Sequence, residues 1–122
     1  MGGTPLRIVG VEDGFTHRDD VEVAFRDVAR PAEALVLSHE PKTADKIART
    51  GARVILSGHT HGGQFDIPGV TSAIATMAGL HYLKGWYMIG DTRLYVNCGV
   101  GSSVAAGRNG ATASELAVFE VG

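Results

Sequence analysis

Apolar residues along the chain gather in short blocks separated by glycine, proline and charge. Leu6 to Glu12 (LRIVGVE) is apolar and β-branched and reads as a strand. Beyond it, Val21, Ala24, Phe25 and Val28 recur at i, i+3, i+4 and i+7, which is one face of a helix. Asp19 and Asp20 favour the positive N-terminal end of that helix, and Pro31 stops it. Ala34 to Leu37 is a continuous apolar run, the pattern of a buried strand. Pro41 to Gly51 predicts a short helix, with Pro41 in the first turn, Ala44, Ile47 and Ala48 on the apolar face and Gly51 just past the end. Arg53 to Ser57 is a further buried strand.

Residues 62–92 hold no sustained period and read as a long loop with one short strand near Trp86 to Ile89. Two strands are predicted to close the chain, Arg93 to Gly101 and Ser114 to Val121. The second alternates, which nominates Leu116, Val118 and Val121 for burial. There is no internal repeat.

The central strand–helix–strand unit implies parallel neighbours joined by a right-handed crossover, hence an α/β fold with a mixed sheet and flanking helices. Its two strands end alike, in Leu-Ser-His39 and Leu-Ser-Gly-His59. Both histidine positions therefore fall at the carboxyl ends of adjacent parallel strands, roughly 5 Å apart. Open α/β sheets place ligands at that edge. His61 follows His59 by two residues, among three glycines. A single loop histidine commonly does no more than satisfy hydrogen bonds. A His-x-His pair with a third histidine on the neighbouring strand end suits a transition ion such as Mn, Fe, Ni or Zn. A metallo-β-lactamase-like site would want Asp-His soon after the pair, where Gly62 and Gly63 stand. An amidohydrolase barrel needs more chain than 122 residues.

Composition narrows the picture further. The chain is 44% hydrophobic and 20% charged, a balance that suits one folded domain over residues 1–122. Its 11 basic and 13 acidic residues give a net charge of −2, with no basic run to suggest nucleic acid. The lone Cys98 forms no internal disulfide and reads as a buried thiol, compatible with a cytoplasmic setting. No apolar stretch nears the roughly 20 residues of a membrane span. His17 is expected at the surface and His81 in a structural role, with Tyr82, Trp86 and Tyr87 packing the long loop onto the core. Asp13, Glu40, Asp66 and Asp91 lie near glycines or strand ends, with no spacing that pairs them as acid and base.

The strings LSHEP (Leu37 to Pro41) and LSGHTHGGQFDIPG (Leu56 to Gly69) resemble the calcineurin-like metallophosphoesterases. The likeness is to a bacterial branch whose C-terminal half carries His-(Asn/Glu)-Pro, Gly-His-Thr-His-Gly-Gly-Gln, Tyr-x-x-Gly-x-Tyr and a Leu-Tyr-Val strand. Here these are His39 to Pro41, Gly58 to Gln64, Tyr82 to Tyr87 and Leu94 to Val96, with Arg108 and Glu115 at the branch's Arg and Glu. The resemblance implies hydrolysis of phosphate mono- or diesters by a metal-bound hydroxide, at two ions about 3.5–4 Å apart. It assigns His39 and His59 to one ion and His61 to the other. The family's N-terminal motifs, Asp-x-His, Gly-Asp-x-x-Asp and Gly-Asn-His-Asp/Glu, do not occur. The chain is thus expected to be the C-terminal half of such a domain, half of an α/β sandwich. Such a half exposes the sheet face meant for its partner. Association follows as an expectation, with a second copy or with the missing N-terminal half.

Overall fold

The structure is a computed structural model that describes residues 3–13, 20–60, 65–66, 73, 77, 81–100, 109–110 and 113–121. Strand β1 (Arg7–Val11) is followed by helix α1 (Val21–Phe25), strand β2 (Ala34–Ser38), helix α2 (Ala44–Ala48), strand β3 (Val54–Ser57) and the short strand β4 (Phe65–Asp66). Strands β5 (Gly85–Ile89), β6 (Thr92–Val96) and β7 (Asn109–Gly110) complete the order. Five strands form one sheet in the order β1-β2-β3-β6-β5, and β4 pairs with β7 in a separate small one. β1, β2, β3 and β6 are parallel neighbours, and β5 joins β6 antiparallel at the edge. The predicted α/β fold with a mixed sheet is therefore present.

The register aligns side chains in rows across the sheet. Val9, Val36, Ile55, Leu94 and Tyr87 form one row on the covered face, and the first four are buried. Ile47 of α2, with Ala44 and Ala52, completes the cluster on that side, together with Val21 of α1. The opposite face carries Ile8, Leu35 and Val54 in one row and Leu37, Leu56, Tyr95 and Trp86 in another. Among the described residues this face is covered only in part: Leu35, Val54, Leu56 and Tyr95 are half-buried, whereas Ile8 is 58% exposed, Leu37 43% and Trp86 56%. Parallel strands usually read as continuous apolar runs because both faces are covered. Here the runs are present, and the described residues cover one face only in part.

Both helices are shorter than their patterns. Asp20 caps α1 by accepting from the Val23 N–H at 2.9 Å, but the helix closes at Phe25. The Pro31–Glu33 segment is a separate 3₁₀ turn. Likewise Pro41–Thr43 is a 3₁₀ turn that feeds α2, and Gly51, with φ +92°, ends the turn after it. The β5–β6 hairpin turns on Gly90 and Asp91. Gly90 at φ +59° takes the left-handed position that a two-residue II′ turn demands. The strand foreseen to Gly101 ends at Val96.

Ser114 to Val121 corrects the sequence pattern. No strand forms among residues 113–121, and Leu116, Val118 and Val121 are exposed at 86%, 85% and 63%. The alternation exists with its faces exchanged, because Glu115 anchors it. The Glu115 N–H donates to Gly99 O at 2.8 Å, and its Oε2 accepts from the Cys98 N–H at 2.9 Å. Glu115 and Ala117 consequently lie partly buried, and the Phe119 ring meets Tyr95 and Trp86 at 5.2 and 6.1 Å. The expected aromatic group divides too. Tyr82 and Tyr87 pack edge-on at 5.0 Å against the core, whereas Trp86 stacks with Tyr95 on the other face.

Candidate metal centre

Two adjacent strand ends build the site. β2 and β3 stop level, Ser38 opposite Ser57, and the ladder runs one step further, with the Gly58 N–H donating to His39 O at 3.2 Å. On the far side of β3, the Asn97 N–H donates to Ser57 O at 2.8 Å. The carboxyl ends of β2, β3 and β6 are thus laced together where the histidines emerge. His59 then turns the chain sharply. Its φ is +67°, and the Thr60 N–H reaches Gly58 O at 2.8 Å, which closes a γ-turn. Such a turn is rare and strained for a residue with a Cβ. Gly58 needs no special room, since a Cβ there would find its nearest contact at 3.9 Å. Thr60 ties the turn to the next loop by donating its Oγ1 to Leu83 O, and Tyr87 Oη accepts from the Leu83 and Lys84 N–H groups.

This turn brings His59 Nδ1 to 2.9 Å from His39 Nε2, with ring centroids 4.7 Å apart at 64°. The separation suits an N–H···N hydrogen bond. It also suits two ligands of one ion, because metal–nitrogen bonds of about 2.0–2.1 Å put neighbouring donors about 2.9–3.4 Å apart. Both rings remain reachable from solvent. A cleft beside His39 has Gly10, Ser38, Ser57 and Gly58 among its walls, and the buried Ser57 Oγ has no hydrogen-bond partner among the described residues. A larger hollow lined by Asp20, Glu22, Lys46 and Arg49 contains none of these histidines.

Of the predicted trio, His39 and His59 are brought together, while His61 lies outside the described residues, as does His17. His81 is exposed and Cys98 is buried. Among the described residues no group of three His, Cys, Asp or Glu side chains is placed to hold an ion. The pair nevertheless fits part of a donor set, in chemistry and in spacing.

Sequence reasoning placed Glu40 near a strand end with no acid–base partner and missed its burial. Its side chain is 4% exposed, and its Oε1 lies 3.5 Å from His59 Nε2. The signal available was its place between His39 and Pro41, but position alone does not reveal a buried carboxylate. Tyr82 is the titrating group that stands out. Burial raises its phenol pKa above the ordinary value, and Asp45, which accepts its hydrogen bond at 3.2 Å, raises it further.

Comparison with known proteins agrees with the motif reading. The chain is 33% identical over 99 residues to the metallophosphoesterase YkuE of Bacillus subtilis, covering 81% of this chain and 35% of that protein. It is 29% identical over 104 residues to the UDP-2,3-diacylglucosamine pyrophosphatase LpxG of Chlamydia trachomatis, 79% of this chain and 32% of that one. The phosphodiesterase YaeI of Escherichia coli is 35% identical over 68 residues, 56% and 25% of the two chains. No family profile matches the chain, and no solved structure does. The chain spans about a third of the length of the first two relatives. Over that span it is related to the calcineurin-like metallophosphoesterases.

Proposed function

Taking the chain as part of a calcineurin-like metallophosphoesterase, we propose that it supplies the histidine side of a metal-dependent phosphoesterase centre. On this reading residues 1–122 are one unit, the C-terminal portion of the catalytic domain. His39 and His59 hold one divalent ion, and His61 serves a second. The observation that carries the reading is the 2.9 Å approach of His39 Nε2 to His59 Nδ1 at the carboxyl ends of neighbouring parallel strands. Bound there, Mn, Fe, Zn or Ni supplies Lewis acidity toward a phosphoryl oxygen and lowers the pKa of water. The laced strand ends fix where the two rings can sit, and the γ-turn at His59 sets the direction of its ring. Phosphate mono- or diesters are the proposed substrates, a class supported by the pyrophosphatase and phosphodiesterase names of the relatives. The partly covered sheet face is proposed to pack against the N-terminal half of such a domain or, failing that, against a second copy.

One observation favours a second reading for the chain by itself. The described residues bring together a pair of neutral nitrogen donors and no third ligand, which neither holds two ions nor balances their charge. The isolated chain then binds an ion weakly and hydrolyses nothing. Calorimetric titration with Zn²⁺ and with Mn²⁺ tests the pair. Binding is expected for the unaltered chain, weakened about tenfold or more by His39→Ala or His59→Ala. Equal affinity in all three proteins overturns the reading. An aryl phosphodiester assay with Mn²⁺ separates the two hypotheses. Little turnover is expected, and turnover abolished by His61→Ala would assign hydrolysis to this chain.

A further inference from the structure

Burying a carboxylate without matched partners is costly, so an acid that is 4% exposed calls for a reason. Glu40 is held there by its backbone. Its carbonyl accepts from Ser38 Oγ at 3.2 Å and from the Thr43 N–H at 3.3 Å, at the start of the 3₁₀ turn that opens on Pro41. Lys42 Nζ stands 2.7 Å from Oε2 and offsets the charge, at angles that fall short of a hydrogen bond. The other oxygen, Oε1, faces His59 Nε2 at 3.5 Å. An imidazole carries its two nitrogens on different sides of the ring. The nitrogen that looks at Glu40 is therefore not the one that looks at His39.

We propose that Glu40 is a positioning residue for the histidine pair, accepting the Nε2 proton of His59 so that the Nδ1 lone pair is left free on the side of His39. The proposal rests on the reading that this pair holds a divalent ion. A neutral ring bears one proton, and whichever nitrogen carries it cannot ligate. A carboxylate beside Nε2 draws the proton there. It also makes the ring a better donor and places a negative charge close to an otherwise neutral ligand pair. The 3.5 Å separation is within ion-pair reach and lies just beyond ordinary N–H···O hydrogen-bond length. Glu40 is not a third ligand, because it sits behind the ring rather than beside the two facing nitrogens.

The test begins without metal. In the ¹⁵N-labelled chain at about pH 8, long-range ¹⁵N–¹H correlation is expected to show His59 protonated on Nε2. Glu40→Ala should shift the population toward Nδ1–H, and Glu40→Gln, whose amide oxygen still accepts, should restore it. A His59 carrying its proton on Nδ1 in the unaltered chain overturns the proposal. So does a tautomer that Glu40→Ala leaves unchanged. Should Glu40→Ala not fold, the tautomer of the unaltered chain decides alone. Zinc titration adds a second measure, with affinity expected to fall about 10–100-fold in Glu40→Ala and to change by less than about threefold in Glu40→Gln. A chain that binds no zinc sinks the histidine-pair reading, and the His59 tautomer still decides this one.

Discussion

His59 holds a backbone conformation that side chains with a Cβ rarely adopt, and among the described residues it is the one non-glycine with positive φ. Residues in such conformations cost about 1–3 kcal/mol and concentrate where geometry matters more than stability. The strain sits on the residue whose ring must turn back toward His39, which is where a binding role would place it. Tyr82 offers a different test at this scale. Burial first, then the Asp45 carboxylate, raise its pKa, with Tyr87 adding to the rise, so the folded chain keeps the phenol proton to higher pH than the unfolded chain does. The stability linked to that proton is complete below the unfolded value of about 10 and is lost as pH climbs through the folded one. Urea midpoints measured from pH 9 upward should therefore fall more steeply in the unaltered protein than in Tyr82→Phe. Parallel curves would remove Tyr82 as the cause.

Helix α2 is five residues long, too short to persist through its own hydrogen bonds, and it depends on what it buries. Ile47 is fully buried between it and the sheet. Ile47→Ala should cost about 2–5 kcal/mol in chemical denaturation. Val23, on α1 but 51% exposed, should tolerate alanine within about 0.5 kcal/mol. Equal losses at the two positions would show that the sheet-facing side has been misjudged. The element scale also shows what the residues announced. Continuous apolar runs such as Ala34–Leu37 declare a strand whichever face is covered, so β2, β3 and their parallel pairing were legible. The alternation from Ser114 to Val121 gives a period but not a phase. Phase was set by Glu115 bonding to Cys98 and Gly99, a long-range contact that no local pattern contains. The α2 pattern overran because the 3₁₀ turn Pro41–Thr43 takes residues whose spacing also fits an α-helix. The convergence of His39 and His59 was legible because parallel neighbours deliver equivalent positions to one edge. Glu40 was not, since its burial depends on how a turn folds back.

At the scale of the whole molecule, the sheet face that the described residues cover only in part dominates. Ile8, Leu37, Trp86 and Met88 present apolar area that soluble monomers seldom leave in water. Sedimentation velocity of the isolated chain should show a dimer or larger species, and Leu37→Lys should shift it toward monomer. A well-behaved monomer at all concentrations would count against the half-sandwich reading. The strand order carries one more consequence, for synthesis rather than function. β6 sits between β3 and β5, although β5 precedes it in the chain. While a ribosome is still making Thr92 to Val96, β5 has no neighbour in this sheet and one flank of β3 stands bare. A nascent chain paused at that point presents open strand borders to any passing polypeptide, and those few residues are the clasp that shuts them.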